Sequence, residues 1–285
     1  MSAPALAEHA PAKINLALHV TGQRADGYHS LESLVVFTQA GDRVSVDLSD
    51  EDGFTVSGRY AHYVPIDGGN LVLRARDLFR GATGEGRPLS IHLEKNLPVA
   101  SGIGGGSSDA AAVLRALQRL SPVEADWARL ALMLGADVPM CLRARPAIAR
   151  GVGEELQPIE HLPALALVLA NPGIGVSTPA IFKALACREN PPLPPFRAGD
   201  RASLLAWLRE TCNDLEPPAL AFAPAIGTAQ DALRSAGAEL VRMSGSGATS
   251  FGIFASLEKA DAVAATIARR EPGWFVQATT TEFAR

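Results

Sequence analysis

The chain is poor in cysteine. Cys141, Cys187 and Cys212 are odd in number and widely spaced, and no C-x-x-C occurs among the 285 residues. This excludes a disulfide framework and a zinc knuckle, and it points to a reducing, cytoplasmic compartment. The six histidines form no H-E-x-x-H pair. No apolar run approaches the ~20 residues that a membrane helix needs, the longest lying around 162–170. The opening MSAPALAEHA has neither the basic nor the apolar stretch of a secretory leader, so none is expected. A basic excess is also missing: 26 Lys+Arg stand against 30 Asp+Glu, a net charge of −4. That leaves no electrostatic footprint for duplex nucleic acid. Lysine is the scarcest cation, with Lys13, Lys95, Lys183 and Lys259 alone among 22 arginines. A lysine kept in such a chain marks a place where a compact ammonium is wanted.

What is present suffices for a real core: 47% hydrophobic against 20% charged residues, in a length that fits one large domain or two. Over 12–20, Ile14, Leu16, Leu18 and Val20 alternate with Lys13, Asn15, Ala17 and His19, which predicts a strand. Further strands are read over 31–39 and 43–48, separated at Gly41-Asp42, and over 54–57, 89–93, 165–170, 240–243, 250–254 and 275–281. Helices are predicted over 70–79 behind an Asn70 cap, over 127–134 up to Gly135, and over 177–185 behind Ser177-Thr178-Pro179. Others are expected over 204–210, 224–236 and 256–269, the last capped by Ser256. Gly151-Val152-Gly153-Glu154 reads as a turn. Strands and helices interleave without a regular βαβ repeat, so the expected class is α+β in two domains, 1–155 and 156–273. The final strand, 274–285, is expected to pack back on the first domain.

The most informative segment is Pro98-Val99-Ala100-Ser101-Gly102-Ile103-Gly104-Gly105-Gly106-Ser107-Ser108-Asp109. It follows a strand that ends at Lys95 and runs into a helix with an apolar stripe of Ala110, Val113, Leu114, Leu117 and Leu120. Glycine permits positive φ and close approach of a ligand to the backbone. The helix entrance then offers N–H groups and a favourable dipole to an anion, and Ser107 and Ser108 add hydroxyls. A phosphate cradle is the natural reading. It is not a Walker A loop, because no Lys follows the glycines, nor a dinucleotide fingerprint, because Ser107 stands where a third spaced glycine belongs.

The run Pro98–Ala111 resembles the phosphate-binding motif of the GHMP small-molecule kinases, P-x-x-x-G-L-G-x-S-S-x-x-A, with Ile103 in place of the usual Leu. Two more motifs of that family stand in order, Ala12-Lys13-Ile14-Asn15-Leu16 and Met243-Ser244-Gly245-Ser246-Gly247-Ala248-Thr249. Within the family, Arg24-Ala25-Asp26-Gly27-Tyr28-His29, Leu134-Gly135-Ala136-Asp137-Val138-Pro139, Gly151-Val152-Gly153-Glu154 and Asn213-Asp214-Leu215-Glu216 look like the members that act on 4-diphosphocytidyl-2-C-methyl-D-erythritol. The resemblance implies an N-terminal domain like the second domain of ribosomal protein S5 and a ferredoxin-like C-terminal domain. It implies a cytoplasmic enzyme, monomeric or homodimeric, that phosphorylates the tertiary 2-hydroxyl of that substrate with ATP and Mg²⁺ in non-mevalonate isoprenoid synthesis. ATP and substrate would meet in the cleft between the domains.

Site residues follow from the same resemblance. Asp137 would accept the proton of the hydroxyl, and Lys13 would keep Asp137 ionised and stabilise the transferring phosphoryl group. Lys95, Pro98, Val99, Ala100, Ser101, Gly102, Ile103, Gly104, Gly105, Gly106, Ser107 and Ser108 would hold ATP. Asn15 and Asp137 would bind the acceptor. Tyr28 would stack on cytosine, His29 would bond its edge, and Phe182 would form a second wall. Gly245, Ser246 and Gly247 would shape the side facing the phosphoryl group. No carboxylate cluster identifies a Mg²⁺ site; Ser108 and water-mediated binding are equal alternatives. Asp109 reads as charge in the first helical turn.

Overall fold

A computed structural model describes residues 6–121, 123–197 and 199–281. The described chain divides into two compact units that are interleaved in sequence. One contains the residues up to Ala12, Gly41–Val99 and Gly104–Ala144; the other contains Lys13–Ala40, Ala100–Ile103 and everything from Arg145 onward. The units thus do not follow the single boundary near 155. Two long strands supply residues to both: β1 (Leu6–Gln23) and β2 (His29–Leu48), which pair with each other.

β2 corrects the expected break at Gly41-Asp42. The strand is continuous because Gly41 marks a close approach and not a turn. A Cβ there would lie 2.5 Å from the carbonyl oxygen of Ala10, with the His9 ring closer still.

In the first unit, β3 (Gly53–Ser57) runs parallel to β4 (Leu89–Glu94), and residues 43–48 of β2 run antiparallel to it. The helix α1 (Leu71–Thr83) precedes β4 (Leu89–Glu94) and starts as the sequence predicts, with Asn70 Oδ1 accepting from Val72 N at 2.8 Å. Then come α2 (Gly105–Leu120), α3 (Trp127–Leu134) and the short α4 (Val138–Arg143). The alanine-rich face of α2 is wholly buried, from Ala110 to Leu114. Small side chains let the neighbouring helices approach closely, and Phe79 of α1 stacks on Trp127 of α3 at 5.8 Å.

In the second unit, β5 (Ala147–Arg150) pairs with residues 33–35 of β2 and with β6 (Glu155–Pro158). The predicted turn at 151–154 joins them, and Glu154 accepts from Val152 N at 2.6 Å. A four-stranded antiparallel sheet follows. It contains β7 (Ala166–Asn171), β8 (Leu240–Met243), β9 (Ser250–Phe254) and β10 (Phe275–Thr280), in the order β10-β7-β9-β8. The last strand, β10, pairs with β7 from Phe275↔Asn171 to Thr280↔Ala166, and Thr279 Oγ1 accepts from Ala40 N of β2 at 2.8 Å. The reason for the pairing lies in β7, which is buried along its whole length and needs a partner on each edge to satisfy its backbone. The helices here are α5 (Thr178–Lys183), α6 (Arg201–Arg209), α7 (Glu216–Phe222), α8 (Ala225–Ser235) and α9 (Leu257–Arg270). Ala229 and Leu233 of α8 and Ala260, Val263 and Ile267 of α9 pack on Ala166, Val168 and Ala170 of β7. Two sheets with helices segregated against them make this an α+β protein.

Candidate active site

The glycine loop enters α2 at Gly104, whose φ of 66° is the left-handed conformation that glycine adopts without strain. With no side chain, Gly104 leaves the first-turn N–H groups of α2 to an external anion. Gly106 is exposed, and a Cβ on it would meet only Leu71 Cδ1 at 3.7 Å. The fold therefore has room for a side chain there. These features fit the phosphates of ATP.

Ser108 behaves differently from expectation. It is fully buried, and its hydroxyl donates to Pro11 O at 2.6 Å, so it is committed to the fold. Among the described residues no three His, Cys, Asp or Glu side chains are grouped to hold a metal ion. The described side chains supply no carboxylate cage for Mg²⁺.

Lys95 also departs from its expected role. It is buried, and its ammonium lies 2.5 Å from Asp42 Oδ2 and 2.5 Å from Asp109 Oδ2. Burial opposes its charge, but the two carboxylates outweigh that and hold its pKa above the usual lysine value. Complete burial pushes Asp109 up to about 8, an effect the neighbouring ammonium only partly offsets. Asp109 is thus no surface dipole charge.

Asp137 sits at the N-cap of α4, half-buried, yet its carboxylate makes no capping hydrogen bond.

In the second unit, Ala100–Ile103 is laced to the loop Ser244–Thr249. Ser244 Oγ donates to Gly102 O at 3.0 Å, and Thr249 N donates to Ser101 O at 3.1 Å. Gly102 must be glycine here: φ is 76°, and a Cβ would lie 2.5 Å from Ser244 O. Lys13, buried on β1, donates its backbone N–H to Ile103 O at 2.9 Å. Asn15, two residues on and sharing its strand face, donates through Nδ2 to Ser33 Oγ at 2.7 Å, while its backbone N–H donates to Ser244 Oγ at 3.1 Å. Asn15 Oδ1 is buried without a partner. Asn213 Nδ2 holds the loop by donating to Met243 O and Gly245 O at 2.8 Å each, and Ser246 Oγ is 2.7 Å from Thr178 Oγ1. The hydroxyl of Thr178 is thereby joined to the loop, whereas Ser177 gives α5 no side-chain cap.

His29 and Phe182 meet. Their rings stack with centroids 4.9 Å apart and planes 25° from parallel. The other side of Phe182 packs on the core around Ile181 and Val20. Burial, reinforced by the Arg188 charge, lowers the His29 pKa, which favours the neutral ring. His29 Nε2 is buried and unpartnered. Tyr28 stands beside it, 63% exposed.

Sequence reasoning gave no role to Asp42, Ser244, Asn213 or Arg242. Buried Arg242 donates to the carbonyls of Leu16, Leu208 and Thr211 and ties β8 to β1. The only signal for Ser244 and Asn213 was their place inside quoted motifs; Asp42 and Arg242 carried none, because their partners are remote in sequence.

The family model for the GHMP kinases N terminal domain matches residues 70–145, and that for the GHMP kinases C terminal matches 192–272. The chain is 60% identical over 277 residues to the 4-diphosphocytidyl-2-C-methyl-D-erythritol kinase of Mesorhizobium japonicum, covering 95% of this chain and 94% of that protein. It is 56% identical over 287 residues to the protein of the same name in Rhizobium meliloti, covering 97% and 95%. A crystal structure of 4-(cytidine 5'-diphospho)-2C-methyl-D-erythritol kinase superposes with a TM-score of 0.83 at 37% identity, covering 98% of this chain and all of that one. Homoserine kinase from Cytophaga hutchinsonii shares the fold alone, with a TM-score of 0.67 at 18% identity over 98% of this chain and 94% of that one.

Proposed function

Because this chain belongs to the GHMP kinases, and within them to the 4-diphosphocytidyl-2-C-methyl-D-erythritol kinases, we propose that it transfers the γ-phosphoryl group of ATP to the 2-hydroxyl of that substrate, a step of non-mevalonate isoprenoid synthesis. The observation that carries the choice of acceptor is the His29–Phe182 stack. A cytosine laid on Tyr28 would offer its edge to His29 Nε2, which otherwise stays buried and unsatisfied. An acceptor without a base, such as homoserine or mevalonate, has nothing to place there.

ATP supplies the transferable phosphoryl group, and Mg²⁺ would offset the charge of its phosphates. The chain's own residues do the rest. Gly104–Ser107 cradle the phosphates on backbone N–H groups. Asp137 takes the proton of the 2-hydroxyl as oxygen attacks phosphorus, and the leaving group is ADP. Lys13 supplies positive charge to the transferring group, and Asn15 Oδ1 accepts from the acceptor. Gly245–Gly247 line the approach to the phosphoryl group. Catalysis of this kind is chiefly alignment and charge compensation.

In this reading the protein works in the cytoplasm, as a monomer or homodimer. The described residues contain no helix long and apolar enough to cross a membrane. A coupled assay of ADP release tests the function. Turnover is expected with the cytidylyl substrate and not with homoserine or mevalonate; the opposite preference would discard the acceptor assignment.

A further inference from the structure

We propose that Lys95, Asp42 and Asp109 form a positioning cluster that tethers both ends of the phosphate loop, with no contact of their own to the nucleotide. The inference rests on the nucleotide role given above to Gly104–Ser107.

Lys95 directly follows β4, three residues before the loop opens at Pro98. Its Nζ reaches Asp42 on β2 and Asp109 in the second turn of α2, both at 2.5 Å. Asp42 also holds the strand exit: its Oδ1 accepts from Asn96 N at 2.6 Å and from Leu97 N at 2.8 Å. Asp109 anchors the other end, since it belongs to the helix whose first turn forms the cradle. The ammonium also lies close to the loop, since a Cβ built on Gly105 would stand 3.0 Å from it. One buried ammonium therefore ties the segment entering the loop to the helix leaving it.

All three side chains are essentially removed from water. Such clusters are costly to assemble and are weak contributors to net stability, while loss of one member is expensive. Their advantage is geometric. The ion pairs admit one arrangement of strand end and helix start, and the loop N–H groups are aimed before ATP arrives. Pre-aimed donors strengthen nucleotide binding equally in ground and transition states. Their loosening should raise KM for ATP and leave kcat nearly alone.

The test combines ADP titration by calorimetry with steady-state kinetics in both substrates. Lys95→Met should weaken ADP binding and raise KM for ATP by roughly 10-fold or more, with kcat within about 3-fold and KM for the cytidylyl substrate within about 2-fold. Asp109→Ala should shift the same constants in the same direction. Asp109→Asn, which keeps an oxygen for Nζ, should recover most of the affinity. If Lys95→Met does not fold, the Ala and Asn variants at 109 decide, because Lys95 then still pairs with Asp42. A fall in kcat with KM for ATP unchanged would make Lys95 a group that acts on the phosphoryl itself and would overturn the proposal, as would wild-type ADP affinity in Asp109→Ala. Absence of ADP binding in the wild-type protein would instead defeat the nucleotide role of the loop.

Discussion

The region beneath the phosphate loop and the region around His29 are built on opposite principles. Under the loop nearly every polar group is committed: Lys95 to two carboxylates, Asp42 to two backbone amides, and Ser108 to Pro11. Around His29 the groups stand uncommitted, with Nε2 unpartnered and Tyr28 open to solvent. On the proposed function, the difference follows from what each region would recognise. Phosphate is bound by backbone N–H groups, which any sequence possesses, so the side chains are spent on placing them. A base must be told from other flat groups, which takes side chains whose hydrogen bonds are satisfied only by the right edge.

The comparison breaks first at Asp137, which on the proposed mechanism belongs to the chemistry and to neither kind of recognition. Asp137→Asn should lower kcat by roughly 10²-fold or more and leave ADP affinity nearly intact. Stopped-flow or steady-state turnover showing a rate near wild type would remove it as the base.

On the base side, Tyr28→Ala should raise KM for the cytidylyl substrate about 5- to 150-fold, the equivalent of the ~1–3 kcal/mol that base stacking provides, and Tyr28→Phe should retain most of the affinity. Titration of each substrate on both variants checks this. A rise confined to ATP would exchange the two pockets.

On the phosphate side, two glycines of one loop should separate. Gly106→Val should keep the fold and lose nucleotide affinity, because its Cβ meets only open contact while a ligand needs the backbone. Gly102→Ala should lower the melting temperature through about 1–3 kcal/mol of strain, since its φ is positive and backbone atoms crowd its Cβ. Calorimetric scans and ADP titrations on the two variants should give opposite rankings.

The smallest effect is a pH dependence of stability. Burial raises the Asp109 pKa in the native state above its unfolded value. Between those two values the native protein binds a proton that the unfolded chain has released. The stability this confers is complete below the ordinary aspartate range and is lost as pH rises through the native value. Denaturant midpoints should fall less steeply with pH in Asp109→Asn than in wild type, and parallel slopes would refute the assignment.

Much of the architecture was legible in local residues. Asn70 and Ser256 cap helices as their chemistry predicts, and α3, β8 and β9 occupy the predicted residues. Other elements escaped. α4 is six residues long and has too few turns to show a period, and β5 and β6 are four residues each. The glycines at 105 and 106 concealed that α2 begins inside the loop, because glycine weakens every helical signal.

The sequence by itself determined the α+β class, the caps, the alternation that puts Lys13 and Asn15 on one strand face, and the motifs that mark a phosphate loop. All of these are carried by residues a few positions apart, where backbone geometry alone sets the neighbours. Tertiary structure alone decided that Gly41 is a contact and not a turn, that β10 pairs with β7, and that Lys95 is buried between carboxylates 53 and 14 residues away. Charge compensation and edge pairing act through space. Until the chain has folded, a lysine after a strand has no fixed partner, and a surface role and a buried one read the same.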